Sequence, residues 1–299
     1  MLSAPCDALR KQGYQFFSPQ SSAALKPCLW CKRSLAGGDM CYKHQFYGID
    51  SHRCVQLTPT LRCNHRCLFC WRSFEHEVTT EEVCPPDVIL TEISRLQKKA
   101  LAGYNAVLDN TVTDERWTEA LNPRHVAISL SGEPTLYPEL PELIGRFNEQ
   151  KFTTFLVSNG TNPDVLSRCR PFQMYVSLNA PDEETYRTVC RPVSDTWESV
   201  MESLNLLKDR RSAIRITLVS GYNDTSPGKY SALLQDSGAL YVEVKGYMYL
   251  GYSRKRLERK NMPEHEAVRV FTEKIAAACD YQYRDENRLS RVVLLERVG

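Results

Sequence analysis

The stretch CVQLTPT at residues 54–60 runs straight into LRCNHRCLFCWR at residues 61–72. Its first part is β-branched and apolar, as a buried strand should be. Its second part places Cys63, Cys67 and Cys70 within eight residues, spaced C-x3-C-x2-C. Working outward, five more runs read as strands: HVAISLS (125–131), FTTFLVS (152–158), QMYVSLN (173–179), AIRITLV (213–219) and LYVEVKGYMYL (240–250). Helical patterns separate them. In PPDVILTEISRLQKKALAG, Val88, Ile89, Ile93, Leu96 and Ala100 approximate one helix face, and Pro85 and Pro86 suit its start. PELPELIGRFNEQ, DTWESVMESLNLLKDR and EHEAVRVFTEKIAAA read the same way. Six β–α alternations imply a parallel sheet, too few for a closed eight-stranded barrel but suited to an open barrel or a doubly wound sheet. In either, chemistry gathers where strands end at their carboxyl side. The cysteine loop follows the first strand, Gly132-Glu133-Pro134 the second and Ser158-Asn159-Gly160 the third. Asn179 ends the fourth, and Tyr222-Asn223 follow the fifth.

Three thiolates at this spacing fit iron–sulfur or zinc chemistry. A four-iron cluster held by three cysteines keeps one iron open to another ligand. Structural zinc wants a fourth Cys or His, and His65 lies inside the loop. Upstream, Cys28, Cys41 and Cys54 are thirteen residues apart each, and Cys31 adds a C-x2-C pair. This second set reads either as a closed four-thiolate site or as three ligands of a second four-iron cluster. Seven of the twelve cysteines lie between Cys28 and Cys70, and such clustering means metal. Cys6, Cys84, Cys169, Cys190 and Cys279 are scattered singly and read as packing or surface residues.

With 42% hydrophobic and 25% charged residues, the 299-residue chain has the composition of a soluble globular protein. No apolar run approaches the roughly 18 residues of a membrane span, and the first residues lack a signal peptide's apolar centre. The expected location is the cytosol, where twelve cysteines are too many to read as disulfides. The net charge of +2 hides an asymmetry: residues 1–72 carry +7, residues 245–260 carry +5 and residues 73–244 carry −9. Two basic ends on an acidic body suggest a polyanionic partner that touches the ends.

The loop, with Phe69 just before its last cysteine, resembles that of the radical S-adenosylmethionine (SAM) enzymes. The resemblance continues in 131-SGEPTLYP-138, although Ser131 stands where many members have a further glycine. It implies a [4Fe–4S] cluster on Cys63, Cys67 and Cys70 whose open iron is chelated by SAM. It also implies SAM contacts from Phe69, Gly132, Glu133, Pro134, Ser158, Asn159 and Asn179. Here Glu133 would accept from the SAM ammonium, and Gly132 would let the backbone approach the ligand.

Three longer runs narrow the resemblance: 41-CYKHQFYGIDSHRCVQLTPTLRCNHRCLFCWR-72, 126-VAISLSGEPTLYP-138 and 243-EVKGYMYLGYSRKRL-257. They resemble the 4-demethylwyosine synthases of tRNA wybutosine biosynthesis. Membership implies a second [4Fe–4S] cluster on Cys28, Cys41 and Cys54, with Cys31 spare. It implies a reaction between pyruvate and N1-methylguanosine at position 37 in the anticodon loop of phenylalanine tRNA. Hydrogen is removed from the N1-methyl group, the carbon radical attacks the pyruvate carbonyl carbon, the carboxylate carbon is lost, and an imine closes the third ring. A lysine holds pyruvate as a Schiff base, and Lys43, two residues after Cys41, is the candidate; without the family it would read as a solvated lysine. Longer relatives carry a flavin-binding domain for which this chain has no room, so a separate flavodoxin- or ferredoxin-type electron donor is expected.

The segment 247-YMYLGYSRKRLERK-260 interleaves aromatics with cations. Arg254, Lys255, Arg256 and Arg259 are expected on tRNA phosphates, and Tyr247, Tyr249 or Tyr252 stacked on a loop base. The expected architecture is an open, partial TIM-type (β/α)6 barrel over residues 54–250. A cysteine-rich extension (1–53) precedes it and a basic, tRNA-contacting part (251–299) follows. Two rival readings are another radical SAM RNA-modifying enzyme and a zinc-containing RNA-binding protein.

Overall fold

The computed structural model describes residues 4–74, 82–105 and 112–298. In chain order its helices and strands are α1 (Ala4–Lys11), β1 (Gln15–Phe16), β2 (Ala24–Leu25), α2 (Leu29–Leu35), α3 (Tyr42–Tyr47), β3 (Cys54–Thr58), α4 (Pro86–Asn105) and α5 (Asp114–Leu121). There follow β4 (His125–Ile128), α6 (Leu140–Glu149), β5 (Thr153–Ser158), α7 (Pro163–Arg168), β6 (Gln173–Ser177), α8 (Glu183–Cys190) and α9 (Trp197–Asn205). The last are β7 (Ser212–Leu218), α10 (Pro227–Ser237), β8 (Tyr241–Gly246), α11 (His265–Ala276), β9 (Tyr281–Asn287) and β10 (Val292–Arg297).

The fold is α/β, and it divides into two compact units. The first comprises Met1–Arg62, His76–Val157 and Arg168–Phe172. Its strand order is β1-β2-β3-β4-β5, in which β3, β4 and β5 are parallel and the two-residue strands β1 and β2 add an antiparallel edge. Val55, Leu57, Val126, Ile128, Phe155 and Leu156 are all buried, which is why these strands read as continuous apolar runs. In α4, Ile89, Ile93 and Leu96 are buried, as the helix face predicts, whereas Val88 of the same predicted face is exposed.

The second unit comprises Cys63–Glu75, Ser158–Ser167 and Gln173–Gly299. Its order is β6-β7-β8-β10-β9, with β6, β7 and β8 parallel and β10 and β9 antiparallel to their neighbours. The six expected strands are thus β3 to β8, and neither strand order closes into a ring. No helix among the described residues is long and apolar enough to cross a membrane.

The C-terminal region holds more than the expected basic segment. Helix α11 and the β9–β10 pair continue the second sheet, and Val292 to Leu295 of β10 are buried.

Candidate functional site

Each group of three cysteines is assembled within one unit. In the first, Cys28 and Cys41 stand at the N-termini of α2 and α3 in extended backbone, and Cys54 opens β3. The Cys28 thiol accepts the Cys31 amide at 3.3 Å, and the Ser51 hydroxyl donates to the Cys41 sulfur at 3.3 Å. The three thiols are partly exposed. They also act on one another: burial and then the neighbouring cysteine thiols push Cys54 up, with Cys28 and Cys41 both contributing, while Lys43 opposes the rise. Burial is the main cause for Cys28 as well, offset in part by the Cys31 amide. Thiols whose anions are destabilised by burial and by neighbouring cysteines, as those of Cys28 and Cys54 are, suit a bound cation or cluster, which relieves that repulsion.

Cys31 lies within range of the same set, since burial and then Cys28 and Cys54 push its thiol up, but its surroundings differ. It is fully buried among Leu35, Leu101 and Ala120, its sulfur donates to the His52 carbonyl at 3.8 Å, and Gln97 donates to it at 3.9 Å. Its thiol is therefore part of the core of the first unit.

Lys43 lies in α3, two residues from Cys41. Its side chain is buried, with 8% exposure, and its Nζ stands 4.5 Å from the centroid of the Phe155 ring. It is the one buried lysine among the described residues. An ammonium over an aromatic face in a desolvated place is held by about 2 kcal/mol. The solvated lysine that the bare sequence suggests is not what the fold contains.

Gly132 and Glu133 also belong to the first unit. Gly132 has φ +70°, and a Cβ there would stand 2.3 Å from the Thr60 carbonyl oxygen and 2.7 Å from that of Arg62. The close approach it permits is to this backbone. Glu133 extends the same contact by donating its amide to the Arg62 carbonyl at 2.7 Å. Its buried carboxylate accepts the Thr135 amide at 3.0 Å and hydroxyl at 2.7 Å, capping the short turn that Pro134 begins.

In the second unit, Cys63, Cys67 and Cys70 are partly exposed on a loop that main-chain and side-chain bonds strap down. The Arg66 amide donates to the carbonyls of Cys190 (3.1 Å) and Arg191 (3.0 Å), and the Leu68 amide to that of Val189 (2.9 Å). Arg66 also donates to the Cys63 carbonyl at 2.7 Å. Phe69 packs beside Leu68, Val219, Tyr247 and Leu257. Asn159 donates to the Asn64 side chain at 2.8 Å, which in turn donates to Thr161 at 2.8 Å. Asn159 is thereby tied to the cysteine loop, and the buried Ser158 hydroxyl accepts the Gly160 amide at 3.0 Å. The Asn179 carbonyl group of the side chain accepts the Thr217 amide at 2.8 Å, so it closes the end of the strand.

The basic segment divides by role. Arg254, Lys255 and Arg259 are exposed, with Arg254 over the Tyr249 ring and Lys255 over that of Tyr252. Arg256 instead turns onto the cysteine loop, donating to the Leu68 carbonyl at 3.2 Å and to that of Cys70. Tyr247 is 2% exposed with its hydroxyl 2.8 Å from that of Ser253, so it is a core residue and does not stack on a base. Tyr252 donates its amide to the Trp71 carbonyl at 3.0 Å, and Trp71 and Leu250 present exposed apolar surface. Sequence reasoning missed Asn64, Thr161 and the loop-holding role of Arg256. It also missed a pair at Cys67: the His65 ring nitrogen stands 3.9 Å from its sulfur, and the Cys190 sulfur lies within 4.8 Å. The Cys190 thiol and burial push Cys67 up. Burial pushes His65 down to about 4, so its imidazole is neutral at neutral pH. No sequence spacing links Cys190 to the loop.

Comparison with known proteins agrees with these observations. The radical SAM superfamily model matches residues 57–230, and a model described as wyosine base formation matches residues 236–297. The chain is 44% identical to the S-adenosyl-L-methionine-dependent tRNA 4-demethylwyosine synthase of Pyrococcus horikoshii, over 97% of this chain and 88% of that protein. Identity to the protein of the same name from Methanocaldococcus jannaschii is 40%, over 96% and 94%. A solved structure of TYW1 with a lysine–pyruvate adduct bound superposes with a TM-score of 0.89 at 39% identity, covering 99% of this chain and 96% of that one. A crystal structure of archaeal TYW1 gives 0.82 at 35% identity, over 99% and 97%. The chain belongs to the radical SAM superfamily and, within it, to the S-adenosyl-L-methionine-dependent tRNA 4-demethylwyosine synthases.

Proposed function

We propose that this radical SAM enzyme condenses pyruvate with N1-methylguanosine-37 of phenylalanine tRNA, and that Lys43 holds the pyruvate. The observation that carries the reading is the burial of Lys43, unlike every other described lysine, within electrostatic range of the Cys28 and Cys54 thiols. A relative in the same family has been solved with a lysine–pyruvate adduct, and the described residues of this chain offer one buried lysine for that task.

Cys63, Cys67 and Cys70 hold the SAM-binding [4Fe–4S] cluster, and Cys28, Cys41 and Cys54 hold a second. The donor sets fit: three partly exposed thiols each, with no fourth cysteine needed. When bound, the clusters and SAM supply a reducing electron and a hydrogen-abstracting radical. The protein's own part is positional. The Lys43 amine condenses with the pyruvate ketone, releasing water, and the Phe155 face holds the nitrogen in place. Burial keeps bulk water from hydrolysing the imine before the N1-methyl carbon reaches the pyruvate carbonyl carbon. The bond between the first and second pyruvate carbons then breaks, the carboxylate carbon leaving with the unpaired electron and the lysine imine re-forming, and the guanine exocyclic amine displaces the lysine nitrogen as the ring closes. Electrons come from an external flavodoxin- or ferredoxin-type donor.

The test is an anaerobic assay with reconstituted protein, a reductant, SAM, N1-methylguanosine-bearing phenylalanine tRNA and pyruvate labelled with carbon-13 at its second and third carbons. A labelled tricyclic nucleoside is expected. 5′-Deoxyadenosine without label in any nucleoside would leave the radical chemistry standing and reject the substrate assignment.

Cys31→Ala separates the three-thiolate reading from a closed four-thiolate site. Iron content and product formation are expected to stay at parental level, with stability lowered by about 1 kcal/mol for the small cavity. Loss of half the iron would make Cys31 a ligand.

Exposed Arg254, Lys255 and Arg259 are proposed to contact tRNA phosphates, beside the apolar surface of Trp71 and Leu250. The triple alanine variant is expected to flatten the dependence of log affinity on log salt by about 0.7 per lost contact. An unchanged slope in a filter-binding titration would put these residues in solvent. Arg256 is left out because its guanidinium serves the cysteine loop.

A further inference from the structure

Trp71 is an aromatic to which neither the cysteine spacing nor the run of cations assigns a role. It is 42% exposed, whereas Tyr247 is buried and Phe69, Tyr249 and Tyr252 are partly buried. The three tyrosines expected to stack on a base are also occupied. Tyr247 lies in a buried cluster, Tyr249 packs against that cluster with the Arg254 guanidinium over its ring, and the Lys255 ammonium stands 5.0 Å from the Tyr252 centroid.

The basic segment is built onto Trp71. The Tyr252 amide donates to the Trp71 carbonyl at 3.0 Å. Gly251, with φ +54°, approaches so closely that a Cβ on it would stand 2.4 Å from that carbonyl oxygen and 3.4 Å from the Trp71 Cβ. Any larger residue there would push the segment away. Tyr247 and Leu257 of the segment share their buried cluster with Leu68 of the cysteine loop. The Arg72 guanidinium lies 3.1 Å from the centroid of the Trp71 ring. The indole is thus held in place while much of its surface meets solvent.

The segment joined to it presents Leu250 and the exposed cations Arg254, Lys255, Arg259 and Lys260, with Glu258 as the one acid of residues 247–260. A flat apolar ring beside such cations suits a nucleobase and its phosphates: the base stacks on the π face and the phosphates take the charges. Trp71 also follows Cys70 directly, so a base on its ring stands next to the loop at which the modified nucleotide reacts. That nucleotide has to leave the loop stack to react, which strips its neighbour of a stacking partner. An exposed, immobilised indole replaces the lost partner.

We propose that Trp71 is the stacking platform for the anticodon-loop nucleobase adjacent to the modified guanosine, and so a positioning residue for the tRNA. This rests on the reading of the chain as an enzyme acting on N1-methylguanosine-37.

The test measures affinity by filter binding, with reconstituted parent and variants compared at equal iron content. Three tRNAs are used: intact, abasic immediately before the modified guanosine, and abasic immediately after it. The parent is expected to bind one of the two abasic tRNAs about tenfold more weakly than the intact one. Trp71→Ala is expected to bind intact tRNA about tenfold more weakly, with an unchanged salt slope because no cation is lost, and to lose nothing further with that abasic tRNA. Trp71→Phe, which keeps a ring, is expected to stay within about threefold of the parent. The Trp71 carbonyl, not its side chain, accepts the Tyr252 amide, so this backbone contact survives both substitutions. Parental affinity of Trp71→Ala for intact tRNA overturns the inference and leaves the ring to a protein partner. So does an abasic penalty that persists in full in Trp71→Ala, or the absence of any penalty in the parent. Failure of the underlying reading shows separately, as intact tRNA that the parent binds without forming the labelled tricyclic nucleoside.

Discussion

Replacing Cys67 by alanine is expected to reduce 5′-deoxyadenosine formation to background, a loss of at least about a thousandfold, or some 4 kcal/mol of barrier. The same holds for Cys63 and Cys70. Iron should fall to the amount held by Cys28, Cys41 and Cys54, and the loss should not reflect unfolding. The loop is anchored through the amides of Arg66 and Leu68 and by the Arg256 guanidinium on the Leu68 and Cys70 carbonyls, none of which involves a cysteine side chain as donor. Thermal melting close to the parent is therefore expected alongside the lost cluster. Cys169→Ala is the matched control: it removes an equally small side chain from a fully buried place that belongs to neither trio, costs about 1 kcal/mol and leaves iron and turnover intact. A Cys67→Ala protein that still cleaved SAM at the parental rate would reject the assignment of the loop.

The parts of the fold that were legible in the sequence are those where burial on both faces makes a strand apolar throughout. Strands β4, β5 and β6 come nearest to that condition; β3, β7 and β8 interleave Gln56, Arg215, Glu243 and Lys245 with their apolar residues, yet all six fall where their runs of Val, Ile, Leu and aromatics predict. Strand β9, YQYRDEN, does not: only Tyr281 of it is buried, and nothing in its polar composition marks a strand. Its pairing with β10 comes from the neighbour rather than from its own residues. Strands β1 and β2 have two residues each, too few for any alternation to register.

The site was legible to the extent that spacing carried it. Both cysteine trios are visible as intervals along the chain. What the intervals could not show is the state of each side chain. Cys31 sits as close in sequence to Cys28 as a ligand would, yet Gln97 and the His52 carbonyl enclose it within the core. Arg256 lies among exposed cations, yet its guanidinium reaches back across the sequence to the loop at Cys70. Tyr247 looks like its neighbours in an aromatic and basic run, yet Ser253 and the packing of Leu68 and Val219 bury it. At Gly132 the room for a side chain is taken by the backbone of Thr60 and Arg62. Apart from Ser253, the deciding partners are distant in sequence.

Lys43→Arg should give the sharpest separation of radical generation from product formation. Arginine keeps the positive charge and the capacity to lie over the Phe155 ring, so clusters and fold should survive. It has no primary amine, and a guanidinium does not form an imine with a ketone. SAM cleavage should therefore continue while the labelled tricyclic nucleoside falls by at least about a thousandfold, about 4 kcal/mol at the carbon–carbon bond-forming stage. Borohydride added to the parent with pyruvate should leave a reduced pyruvate adduct on the peptide containing Tyr42–Tyr47, and the variant should show none. Because Lys43 is the one buried lysine among the described residues, an adduct formed on an exposed lysine would be open to rapid hydrolysis and would not hold pyruvate still for attack. Normal product from Lys43→Arg would mean that pyruvate is held without an imine at this position, by the cluster trio alone.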